Sequence, residues 1–208
     1  MTEKANNQRL IVVSDSVIAV AVTLLVLDVR LPVEDAGSLT DAALWLAILA
    51  TLPRIYAYLL SFVVVALFWS SHHQKFALIP RVDGVIAGLN IVFLLLIGLV
   101  PFVTAILAEN LGVVATVAYA GVMTALAATV MLIWSYASAT DRLRRDLEAG
   151  RRRRIFWLSV GTFAIFLASI PMAFLNPAAA RYLWLLLAPI SIARYVTHRN
   201  DAAGEGAS

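Results

Sequence analysis

Residues 12–32 read VVSDSVIAVAVTLLVLDVRLP, a Ser14-Asp15 pair at the entrance to an almost unbroken apolar run. A run of that length reads as a membrane-crossing helix, because a bilayer core takes roughly 20 apolar residues to span. A carboxylate beside hydrocarbon is costly and must look into protein or water. The stretch therefore names the solvent and raises two questions: what holds Asp15, and what the aliphatics beyond it face.

The whole chain agrees about the solvent. Of its 208 residues 62% are hydrophobic and only 14% charged, with a mean hydropathy of +0.87. Soluble domains carry about 45–50% apolar and about 25% charged residues, and a fold this small has no interior for such an excess. Cysteine is absent, which excludes a disulfide framework, a thiolate metal site and a Cys nucleophile. MTEKANNQ at the start is polar rather than strongly basic, and the apolar run from Leu10 is longer than a secretory h-region. The first segment is therefore expected to be a permanent membrane helix. Residues 1–200 are expected to form a single six-helix domain, followed by a disordered polar tail over 201–208.

Six stretches meet the length requirement: Leu10–Leu31, Ala42–Ser70, Val85–Leu107, Val113–Ala137, Ile155–Phe174 and Ala178–Tyr195. The second is long enough to tilt or protrude, with Pro53 placed to kink it and Arg54 placed to snorkel or to line a wet surface. Lys4, Arg9, Lys75, Arg81, seven arginines between Arg142 and Arg154, Arg194 and Arg199 fall at the N-terminus, alternate loops and the C-terminus. The other loops carry only Arg30 and Arg181, set against Asp28, Glu34, Asp35, Asp41 and Glu109. That asymmetry predicts both termini in the cytoplasm. The run Arg151–Arg154 reads chiefly as a topology signal, with an anionic-lipid or nucleic-acid patch as the alternative. The segment TDRLRRDLEAGRRRR is expected to prolong the fourth helix, with Gly150 as its stop.

Enzyme signatures are missing: the chain has no HExxH, GxSxG, Walker loop or GxGxxG. Nor does it contain TVGYG, so an ion path here does not use a carbonyl filter of that type. Acidic residues within the spans are almost confined to Asp15 and Asp28, which argues against proton-coupled transport and intramembrane hydrolysis.

On a helical wheel with Asp15 as the zero direction, Ala19, Val22 and Val26 fall within about 40° of it. Val20, Leu24, Leu27 and Leu31 fall on the far side, at about 120–180°, with Thr23 between. The small residues near Asp15 suit close approach of a neighbouring helix. The bulky face has two readings: ordinary lipid-facing or packing aliphatics, or a hydrophobic constriction around a symmetry axis. Trp69, His72 and His73 share one flank of the second span at a depth matching Arg9 and Asp15. Trp69 suits an interfacial anchor, and the two histidines suit solvated loop positions or, more weakly, a metal site. Asn90 lies inside the third apolar run, where an amide needs an interhelical partner.

Arg9-Leu-Ile-Val-Val-Ser14-Asp15, followed by AVAVTLLVLD, resembles the R-x-x-x-F-S-D signature that opens the transmembrane protein 175 family. Tyr58-Leu-Leu-Ser61-Phe62, Phe68-Trp69-Ser-Ser-His72-His73, Leu89-Asn90 and Pro101-Phe102 are similar to later stretches of its prokaryotic members. The motifs cover about the first half of the chain, and Val13 stands where the signature has its aromatic.

The resemblance implies an all-α membrane protein with six transmembrane helices per subunit and a first helix lining a central pore in an oligomer. It implies a potassium-permeable channel, homotetrameric, in a prokaryotic inner membrane, with potassium as permeant ion and no cofactor, catalytic residue or nucleic-acid partner. Val20, Leu24 and Leu27 take the constriction positions and Thr23 flanks them. Arg9, Ser14, Asp15, Trp69, His73 and Asn90 take the structural network. Two other classes are open on the residues: a proton-permeable channel or proton-coupled transporter using Asp15 and His73, and a non-conducting scaffold or sensor.

Overall fold

The computed structural model describes residues 2–33 and 39–187, with side chains from residue 8 onward. Its elements are helical: α1 (Thr2–Leu25), α2 (Asp41–Ala50), α3 (Leu52–Ala77), α4 (Gly84–Glu109), α5 (Val113–Ala139), α6 (Ala149–Leu175) and α7 (Pro177–Leu183). Short 3-10 turns follow α1 (Val26–Asp28) and α7 (Trp184–Leu186). Five segments among the described residues are long and apolar enough to cross a membrane: Gln8–Asp28 and helices α3, α4, α5 and α6.

Three expectations change. The first span is not α-helical to Leu31; it tightens to a 3-10 turn after Leu25 and leaves helical geometry at Val29, where ψ is 82°. The stretch Ala42–Ser70 is two helices. Thr51 ends α2, its hydroxyl donating to the Ala47 carbonyl at 2.9 Å, and Pro53 sits in the first turn of α3. A proline ring clashes with the carbonyl four residues back and lacks an N–H, so it starts a helix where it would break one. The ten residues of α2 are too few to cross.

The arginine-rich segment does not prolong α5. Asp141 takes φ 53°, in the left-handed region, and the Arg142 N–H reaches back to the Ala137 carbonyl at 3.0 Å, a helix-ending turn. Gly150 is not a stop but lies in the first turn of α6. The expected sixth span begins at α7 and its 3-10 turn, and residues 188–195 lie outside the described residues, as does the 201–208 tail.

Helix α5 packs against α4 and α6, α3 against α4, and α1 against both α3 and α4. Half of the apolar window of α5 is buried, against 22% for the first span. Helix α5 is therefore the centre of the subunit and α1 a flanking helix with one side uncovered. The main core joins Ile18, Ala21 and Leu25 to Val64, Phe68, Phe93, Ile97, Tyr119 and Phe166. A second cluster, with Phe76, Ile79, Ile86, Ile133 and Trp134, closes the end where α3 hands over to α4.

Candidate functional site: the first helix and its tethers

Inside lipid, apolar burial does little to select which helix pairs with which, because the solvent is as apolar as the side chains. Close packing and polar bonds carry that choice, and α1 has both. Its packed stripe is Ser14, Ile18, Ala21 and Leu25, all buried. On the wheel this stripe centres about 90° to one side of Asp15. The expected packing face of Ala19, Val22 and Val26 is corrected accordingly: Ala19 and Val26 are exposed and Val22 is half-buried.

A buried polar chain links three helices. The Ser14 hydroxyl donates to the Leu10 carbonyl at 2.8 Å and accepts from Asn90 Nδ2 at 3.0 Å. Asn90 Oδ1 lies 2.7 Å from His72 Nε2, so the direction of the chain places the proton on Nε2. His72 is almost fully buried, with Phe76 stacked at 4.3 Å and Phe93 at 4.7 Å between ring centroids. Sequence reasoning placed His72 among solvated residues and missed it. The signal was its register: Ser61, Val65, Phe68, His72 and Phe76 recur on one helical stripe, and Asn90 needed a partner.

The second tether lies beside the first, at the partly exposed edge of the packed stripe. Trp69 Nε1 donates to Asp15 Oδ1 at 2.8 Å, and His73 Nδ1 stands 4.0 Å from Asp15 Oδ2. The Asp15 side chain is 38% exposed and that of His73 49%. Asp15 is thus an edge residue rather than a buried one; Ser14 is the buried member of the pair. Trp69, expected as an interfacial anchor, is a bonding partner of Asp15. Arg9 is exposed, and no ion pair among the described residues joins it to Asp15.

Deeper in the span, the Ser61 hydroxyl donates to the Tyr119 hydroxyl at 3.2 Å and lies 2.7 Å from that of Thr104, binding α3, α4 and α5 together. At the far end Arg54 acts as a clamp rather than a snorkelling residue. It donates to the Arg30 carbonyl at 2.7 Å and to Glu109 Oε1 at 2.8 Å, and Arg30 Nε donates to the Leu27 carbonyl at 2.8 Å. Helix α1 is therefore tied at both ends, and its aliphatics lie between the ties.

Those aliphatics face away from the subunit. Val20 is 58% exposed, Leu24 44% and Leu27 54%. Val13, which replaces the signature aromatic, is exposed on the same side. The Thr23 hydroxyl donates to the Val20 carbonyl at 2.8 Å, so its proton is spent on the helix while an oxygen lone pair stays available to a cation. Ser16, bonded to the Val12 carbonyl at 2.9 Å, repeats this arrangement two turns earlier and was not foreseen.

Five long apolar segments among the described residues, joined by buried polar cross-links, define a polytopic α-helical membrane protein. A family model described as the endosomal/lysosomal potassium channel TMEM175 matches residues 9–101. A potassium channel of Streptomyces collinus is 38% identical over 150 residues, covering 68% of this chain and 71% of that protein. The chain belongs to the TMEM175 family. A crystal structure of a lysosomal potassium-selective channel TMEM175 homolog from Chamaesiphon minutus superposes with a TM-score of 0.79 at 29% identity, covering 91% of this chain and 98% of that one. The human endosomal/lysosomal proton channel TMEM175 is 33% identical over 103 residues, which cover 48% of this chain and 20% of that protein.

Proposed function

We propose that the chain is one subunit of a potassium-permeable channel in a prokaryotic plasma membrane, assembled as a homotetramer with both termini in the cytoplasm. Residues 1–200 form the channel domain. Val20, Leu24 and Leu27 of four copies of α1 make the hydrophobic constriction, with Thr23 beside it. Potassium passes by partial dehydration in a narrow apolar passage, offset by water and hydroxyl oxygens. Selectivity is accordingly modest.

One observation carries this reading: an aliphatic face left uncovered on a helix that is tied to its own subunit on the other side. Helix α4 is also tied and has exposed aliphatics at Ile91 and Leu95, so the choice of α1 rests in addition on the resemblance of Arg9–Leu27 to the family's opening segment. The potassium channels among the relatives support the choice of ion. The test is potassium flux in proteoliposomes with Leu27→Asn and Leu24→Asn. A wetted constriction raises flux or changes block by at least several-fold; unchanged flux and block in both variants would reject the assignment.

A second reading has one observation behind it. Asp15 and His73 form a partly exposed acid–imidazole pair, and the human relative carries the name proton channel. If protons pass through that pair, Asp15→Asn abolishes proton current while tetramers still form and potassium flux persists.

A further inference from the structure

The arginine-rich segment takes no part in the proposed pore, yet the fold gives it a shaped surface. Between the end of α5 and the start of α6 lies a groove of about 470 Å³, lined by Trp134, Ser135, Ser138, Arg152, Arg153 and Phe156 among others. We propose that this groove binds the phosphate-bearing headgroup of an anionic phospholipid.

The donors are present and directed. The Arg152 guanidinium donates to the Ser138 carbonyl, which holds it across the groove mouth with other N–H groups to spare. Arg153 is exposed beside it. The Ser138 hydroxyl oxygen is buried and has no hydrogen-bond partner, an unmet donor in the groove wall. The indole N–H of Trp134 donates to the Arg152 carbonyl at 3.3 Å, fixing the first turns of α6 against α5.

Depth selects a lipid. The groove opens where the apolar stretches of α5 and α6 end, near Ala139 and Ile155, which is headgroup level for helices crossing a bilayer. Phe156, half-buried, offers an apolar wall to the glycerol and upper acyl chain, while Trp134 is fully buried behind it. Charge complementarity points the same way: Thr140–Arg154 holds seven arginines against Asp141, Asp146 and Glu148. Asp146 is bonded to Arg144, which leaves Glu148 as the acid nearest the start of α6. Basic residues at headgroup level strengthen binding of anionic lipid, so losing two is expected to weaken it by about tenfold or more.

The experiment is native mass spectrometry of the full-length protein titrated with phosphatidylglycerol, phosphatidylcholine or inorganic phosphate. The proposal expects retention of phosphatidylglycerol over the other two. It also expects about tenfold weaker retention in Arg152→Gln/Arg153→Gln, with Arg181→Gln, at the opposite end of the bundle, unchanged. Equal retention of phosphatidylcholine, equal binding of inorganic phosphate, or undiminished phosphatidylglycerol binding in the double variant would overturn it. If the double variant does not fold, a phosphatidylglycerol with a photoreactive headgroup on the unaltered protein decides. Adducts within 134–156 support the site, and adducts confined elsewhere refute it.

Discussion

The Trp69 indole N–H donates to the Asp15 carboxylate at 2.8 Å, joining the third helix to the first at the polar end of the bundle. Both groups are partly exposed, so the bond is screened and contributes about 1 kcal/mol. Trp69→Phe keeps the ring and removes the donor. Thermal unfolding in detergent is expected to show a loss near that size, and Asp15→Asn, which retains an acceptor oxygen, a smaller one.

The buried chain from Ser14 through Asn90 to His72 has larger consequences, because its members cannot turn to water. Asn90→Leu leaves the His72 donor without its acceptor and is expected to cost about 1–3 kcal/mol. Unfolding of Asn90→Leu, His72→Phe and the double variant checks this. The two losses should fall short of adding, since the second substitution removes a group the first has already orphaned. Full additivity would show that the pair does not act together.

Arg54 and Glu109 are not equivalent partners. Their ion pair alone contributes about 0–1 kcal/mol, since Glu109 is 66% exposed. Arg54 additionally holds the Arg30 carbonyl, at the end of the proposed constriction. Arg54→Gln should therefore destabilise more than Glu109→Gln, and it alone should alter potassium flux in liposomes.

Asp83 caps α4 through the Ile86 N–H at 3.0 Å, accepts from the Tyr136 hydroxyl at 2.8 Å and pairs with Arg142 at 2.9 Å. Loss of solvent pushes its carboxyl up, but the two hydrogen bonds and the guanidinium outweigh that and hold it below the ordinary aspartate value. A lowered folded value means stability that is present above the unfolded value and lost as pH falls through the folded one. Acid unfolding is expected to begin at a higher pH in the wild type than in Asp83→Asn, when each is measured relative to its own neutral stability. The effect is small, because Asp83 is only partly buried and its ion pair with Arg142 is screened.

Much of this was legible from residues. Four apolar runs became α1, α4, α5 and α6 with shifted ends, because length and hydropathy decide what can cross a bilayer. The meeting of Asp15 with Trp69 and His73 at one depth followed from residue type and order, and so did Asn90's need of an interhelical partner, but not that its partners are Ser14 and His72. The break at Thr51–Pro53 was hidden because a proline can kink a helix or begin one, and only the turned chain tells which. The burial of His72 was hidden because its neighbours Ser71, His73 and Gln74 look polar, and only the stripe through Phe68 and Phe76 places it inside. For Asp15 the residues left protein and water both open, and at the edge of the packed stripe it takes a donor from Trp69 while staying partly exposed.

The absence of native cysteine makes the central claim open to a direct test. Leu24→Cys places a thiol on the uncovered face of α1, and Leu95→Cys places one on exposed α4 as a control. Each variant is reconstituted, and potassium flux is measured before and after a charged thiol reagent. The account predicts that modification at Leu24→Cys blocks flux and modification at Leu95→Cys does not. Full labelling of Leu24→Cys with undiminished flux would contradict the placing of this face in the ion path.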